Sequence, residues 1–107
     1  MSSQRLRSRG LGVWAGLFVA PAAWYAAHQA SFYVLSVNCA GPRWLVALIH
    51  VLALLFAGGS GVVSARAEPG ASEQAFPRML AIGAAAVFSV AILWQGVAGL
   101  IYTGCER

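Results

Sequence analysis

Charge is what this sequence has least of. Charged residues make up 9% of its 107 positions, against roughly 25% in soluble domains, and lysine and aspartate are missing altogether. Hydrophobic residues reach 60%, which excludes a disordered chain, since disorder requires low hydrophobicity and high net charge. A water-soluble globule is excluded as well. A domain this small hides only about 60–70% of the surface its unfolded chain exposes, too little for so apolar a composition. The chain therefore reads as an integral membrane protein, all-α, with no share in the water-soluble classes.

Chemistry is scarce too. The acids are Glu68, Glu73 and Glu106, none inside an apolar stretch. The lack of intramembrane carboxylates and lysines argues against an autonomous proton-coupled transporter. No Ser/His/Asp set, Cys/His dyad, carboxylate pair or phosphate-cradling loop is present, so no catalytic residue is assigned and the chain is not expected to be an enzyme. The run Gly58-Gly59-Ser60-Gly61 lacks the strand and lysine of a P-loop and reads as a helix end. Two cysteines and two histidines lack the spacing of a zinc site, and no metal or cofactor is expected.

The basic residues are seven arginines, at 5, 7, 9, 43, 66, 78 and 107, and the net charge is +4. They sit at the ends of apolar stretches rather than on one helix face, so they suit lipid head groups and not nucleic acid. Three apolar stretches stand out: Leu11–Val37, Trp44–Ala65 and Met79–Tyr102. Each is long enough to cross about 30 Å of hydrocarbon as a helix. Pro21 is expected to tilt or kink the first. Turn chemistry at Asn38–Arg43 and a polar loop from Arg66 to Pro77, centred on Pro69-Gly70, join them. Arg5, Arg7, Arg9, Arg66 and Arg78 fall on one side and Arg43 and Arg107 on the other, which predicts N-in/C-out by the positive-inside rule. Trp14, Tyr33, Trp44 and Tyr102 fall near span ends, where interfacial aromatics belong. Ala20-Pro21-Ala22 has the form of a signal-cleavage site, but the apolar run continues well beyond it, so the stretch is expected to stay as a span. No internal repeat is evident.

On that topology Cys39 and Cys105 lie just outside the membrane on one face. An intramolecular disulfide is the preferred expectation; free thiols and bonds to another subunit are the alternatives. His28, His50 and Gln95 fall at similar depth, roughly 9–14 Å below that face. They form a candidate buried polar layer, with Tyr25 and Ser31 sharing the face of His28 and Gln29 turned about 100° from it. Three readings of the layer stay open: an interhelical hydrogen-bond cluster, axial ligation of a b-type haem by the two histidines, and the lining of a proton or quinone path in a larger complex. Gly12, Gly16 and Ala20 recur every four residues as a candidate helix-contact face, and Gly58/Gly61 and Gly96/Gly99 mark smaller ones. With only three helices, some of these stripes are expected to meet another protein.

The string Gly16-Leu17-Phe18-Val19-Ala20-Pro21-Ala22-Ala23-Trp24, followed by His28, Tyr33 and Cys39, resembles small three-helix membrane proteins encoded with the subunits of bacterial haem–copper cytochrome c oxidases. In those a G-L-x-x-x-P-x-A-W segment leads to a polar helical residue and a cysteine beyond the helix. The likeness covers about a quarter of the chain plus the cysteine near its C-terminus. It implies an accessory or assembly subunit of a respiratory complex in the bacterial inner membrane, without a redox centre and without catalytic residues to carry over. Its partners would be other membrane subunits and lipid. The rival reading is a small self-assembling transporter or channel component; a b-haem electron-transfer subunit comes third.

Overall fold

A computed structural model describes residues 2–38, 43–67, 75–102 and 105, with side chains from residue 12 onward. Three helices account for nearly all of it: α1, Ser2–Val37; α2, Arg43–Arg66; and α3, Ala75–Ile101. No strand occurs among the described residues. Both loop centres, Cys39–Pro42 and Glu68–Gln74, lie outside the described residues.

Helix α1 starts well before the apolar stretch does, because Gln4, Arg5, Leu6 and Arg7 are all good helix formers. Its 36 residues account for a bundle 54 Å long. Pro21 lies inside α1 without ending it. Helix α3 starts at Ala75, four residues before the expected boundary, and takes Pro77 into its first turn. That position has no intrahelical partner for an N–H, so proline costs little there. Helix α2 runs through Gly58–Gly61 to Arg66, so the glycine run is not a helix end. An Arg78 side chain reaches back from α3 to the Ala65 carbonyl, occupying one of the four acceptors a helix C-terminus leaves unpaired.

α1 and α3 run parallel and α2 antiparallel to both. Gly16 meets Ala81 and Trp24 meets Phe88 between α1 and α3, while Gly61–Ala85, His50–Gly96 and Val46–Gly99 join α2 to α3. The interior is built from small side chains: Ala20, Ala27, Ala53, Ala57 and Ala85 form one core cluster with Ile92. Buried positions recur at alternating steps of four and three. On α2 they are Val46, His50, Ala53, Ala57, Ser60 and Ser64, the spacing of a coiled-coil seam. Large apolar side chains point the other way. Trp94 is 77% exposed and Met79 72%, with Phe56, Leu55, Val87 and Val90 close behind. A soluble monomer rarely shows contiguous apolar patches beyond a few hundred Å²; here the apolar bulk lies outside and the small residues inside. Helices α2 and α3, with 24 and 27 residues, are long and apolar enough to cross a membrane.

Candidate functional site

The three residues expected to share a buried layer are separated by the fold. His50 is buried, 7% exposed, because it occupies the seam position of α2 that faces Gly96. Gln95 is half-buried, with its Oε1 out of contact with solvent. His28 is exposed. The seam of α1 runs through Val13, Gly16, Ala20, Ala27 and Ser31, and a residue next to Ala27 is turned about 100° away from it. His28 instead lays its ring over Trp24, one turn earlier, at 5.9 Å between centroids and 15° between planes. Tyr25 and Gln29 are exposed beside it.

Ser31 takes the place expected for His28. It is 8% exposed, and the register puts it at the right height. Trp24 and Phe88 are in ring contact at 5.7 Å, and Ser31 and Gln95 each stand two turns further along their parallel helices. Gly96, the neighbour of Gln95, packs against the His50 ring. Ser31 and Gln95 thus stand at a similar height on α1 and α3, and His50 lies against Gly96 from α2. His50 Nδ1 lies 2.8 Å from the Val46 carbonyl. A carbonyl only accepts, so Nδ1 carries the hydrogen, and in the neutral ring Nε2 is the acceptor.

A second polar contact went unforeseen. From α2, Ser64 Oγ accepts a hydrogen bond from Gly16 N–H at 2.9 Å and donates to the Gly12 carbonyl at 3.2 Å. The Gly12–Gly16–Ala20 face is therefore a contact face within this chain: Gly16 and Ala20 are buried against α2 and α3. Gly12, at the end of the stripe, stays half-buried. A Ser64 on the seam of α2 opposite two glycines was the available signal.

His50 also lines a cavity of about 130 Å³ between α2 and α3, with Leu54, Ile92, Gly96 and Val97 among its neighbours; His28 is not part of its lining. Cofactor pockets usually hold roughly 300–1,000 Å³, so the space is small for a haem. Among the described residues no three His, Cys, Asp or Glu side chains group as metal ligands. Cys39 lies outside the described residues, and none of the described cysteines is free. The chain matches no family model, no curated protein and no solved structure.

Proposed function

We propose that the chain is a non-catalytic accessory or assembly subunit of a respiratory, cytochrome c oxidase-type complex in the bacterial inner membrane. In this reading α1 is a third span, the N-terminus faces the cytoplasm and the C-terminus faces outward, and Cys39 bonds to Cys105.

One observation carries the subunit reading: His28 and Gln29 are exposed on α1 beside Tyr25, in a chain whose other helices present apolar side chains outward. Lipid tails offer an imidazole or a carboxamide no hydrogen-bond partner, and polar groups at membrane depth normally face protein or water. A neighbouring subunit's helix supplies that partner. The segment involved, Gly16–Trp24 leading to His28, is the one that resembles oxidase-associated proteins. The disulfide is supported by the lack of a free cysteine among the described residues, and the orientation by the arginine distribution.

The test is purification of tagged protein from its native membrane in mild detergent, followed by a reduced-minus-oxidised spectrum. Haem a-type bands in fixed ratio to the chain are the expected result, and they disappear when His28→Ala and Gln29→Leu remove the exposed polar face. A b-type band retained by the isolated chain would instead make the histidines ligands. A spectrum free of haem overturns the respiratory reading and leaves self-assembly.

A further inference from the structure

We infer that the outward face of α1 is a dimerisation seam, against which a second copy of this chain packs its own α1 in parallel. The inference rests on α1 crossing the membrane, as proposed above, and not on the respiratory complex.

Helix α1 carries two seams. The inner one runs through Val13, Gly16, Ala20, Ala27 and Ser31, on the side that packs on α2 and α3. Two residues further on, and so about 200° round the helix, lie Phe18, Ala22, Tyr25, Gln29, Phe32 and Ser36. Their steps alternate between four and three, the heptad pattern of a coiled coil, and all of them are exposed. Phe18 is 67% exposed, Phe32 63% and Tyr25 59%.

Apolar exposure alone says little in a membrane, because lipid covers a phenylalanine as well as protein does. Gln29 decides between the two. Between Trp44 and Ala65 on α2, and along all of α3, no exposed residue carries a carboxamide, imidazole, hydroxyl or charge. The outer seam of α1 presents a carboxamide at its middle, and lipid tails offer it no partner.

A second copy fits this seam on two grounds. Copies of one chain share one orientation in the membrane, so a two-fold axis along the bilayer normal sets two α1 helices parallel and in register. Each seam residue then meets its own counterpart. A carboxamide both donates and accepts, so Gln29 and its counterpart satisfy each other reciprocally. The remaining layers sort by size. Phe18, Tyr25 and Phe32 recur every seven residues, and so do Ala22, Gln29 and Ser36. Layers of paired aromatic rings thus alternate with layers of smaller side chains, which leave the rings room to tilt over them. Ser36 already donates to the Tyr33 carbonyl at 2.9 Å and asks nothing of the partner. One polar residue in an otherwise apolar seam also fixes register, as it does in coiled coils. His28 is turned about 100° from Gln29 and is left to other subunits.

The experiment uses the full-length chain in its native membrane, with Cys39 and Cys105 replaced by serine and one new cysteine added. Ala22→Cys and Ser36→Cys are expected to give a band at twice the chain's mass under a membrane-permeant oxidant. Val87→Cys, on the exposed face of α3, is expected to give none. Energy transfer between labelled copies in lipid bilayers then gives the dissociation constant. Gln29→Leu should raise it roughly tenfold, the worth of two interhelical hydrogen bonds. Gln29→Asn, which keeps the carboxamide, should retain most of the affinity. Gln29 is exposed, so neither variant removes a contact within the single copy. Equal cross-linking at positions 22 and 87 overturns the seam, and so does unchanged affinity in Gln29→Leu. A cross-link to a band of another mass would place a different subunit on the seam, which overturns the dimer as well. None of these readouts involves haem. A complex with haem and a single copy of the chain refutes the dimer alone, whereas a dimer without haem refutes the respiratory reading alone.

Discussion

The hydroxyl of Ser64 on α2 bonds to the backbone of Gly16 on α1 at 2.9 Å, and the same oxygen donates to Gly12 at 3.2 Å. Gly16 N–H and Gly12 C=O are the i and i−4 groups that an α-helix joins to each other. A side chain of the neighbouring helix therefore shares in the hydrogen-bond ladder of α1. The approach is close at Gly16, where a Cβ would stand 3.2 Å from the Ser64 hydroxyl.

Gly16 is accordingly the most tightly enclosed of the described glycines. A Cβ built on it would stand 2.5 Å from the Ala81 carbonyl oxygen of α3, and backbone cannot step aside as a flexible side chain does. Gly16→Ala is expected to destabilise the detergent-solubilised chain by about 1–3 kcal/mol, the usual range for overpacking, or to prevent folding. Gly59→Ala is the control. Nothing lies within 4 Å of its Cβ position, so the gain in helix propensity, about 0.5–1 kcal/mol, is left unopposed. Thermal unfolding followed by circular dichroism should move in opposite directions for the two, and a neutral Gly16→Ala would show that α1 does not pack on α3 this way.

The two histidines should separate by assay. His50 fills a seam position against Gly96 and is tied to Val46, so His50→Ala should cost about 1–3 kcal/mol in the isolated chain. His28 is exposed, and His28→Ala should change the stability of the isolated chain by less than about 0.5 kcal/mol. It should instead weaken retention of partner subunits during purification. Equal stability losses in the two variants would contradict the distinction.

The sequence shows this fold unevenly, and the reason is physical. Helix positions were legible from the lengths of the apolar stretches, which the described helices follow to within a few residues at most ends. The inner faces were harder to see, since in a membrane helix both inner and outer faces are apolar and hydrophobic periodicity carries little information. Residue size carries it instead. Val46, His50, Ala53, Ala57, Ser60 and Ser64 form a seam of mostly small residues at four-and-three spacing. Following the same rule on α1 through Gly16, Ala20 and Ala27 leads to Ser31, not to His28. On α1, side-chain polarity points to His28, which is exposed, whereas seam position points to the buried Ser31.

The Cys39–Cys105 bond has a direct test. With a protease site placed in the Glu68–Gln74 loop, cleavage separates the two cysteines onto different fragments. The fragments should stay together on a denaturing gel without reductant and part when it is added. A bond closing about 65 residues adds at most roughly 4 kcal/mol by the chain-entropy estimate, and less in a bilayer that already confines the unfolded chain. Cys105→Ser should therefore lower the unfolding temperature only as far as reductant lowers that of the unmodified protein. A band at twice the mass of the intact chain without reductant would instead show that the cysteines join two copies.

Orientation and the number of spans are tested together by locating the N-terminus. Helices α2 and α3 meet the length and apolarity needed for crossing, whereas α1 carries His28 and Gln29 on its exposed side. If α1 crosses, a tag at Met1 and a tag at Arg107 lie on opposite sides. If α1 stays at the surface, both tags lie on the side of the α1–α2 connection. Arg5, Arg7 and Arg9 precede the apolar part of α1, and Arg66 and Arg78 flank the second connection; the positive-inside rule holds both groups in the cytoplasm only when α1 spans. Membrane-impermeant labelling of single cysteines, introduced near each terminus in a chain lacking Cys39 and Cys105, should therefore modify the C-terminal site in intact cells and leave the N-terminal site unmodified until the membrane is opened. Labelling at both ends would reduce the topology to two spans. Replacing all three N-terminal arginines should weaken the preference, because they hold three of the five arginines assigned to the cytoplasmic side.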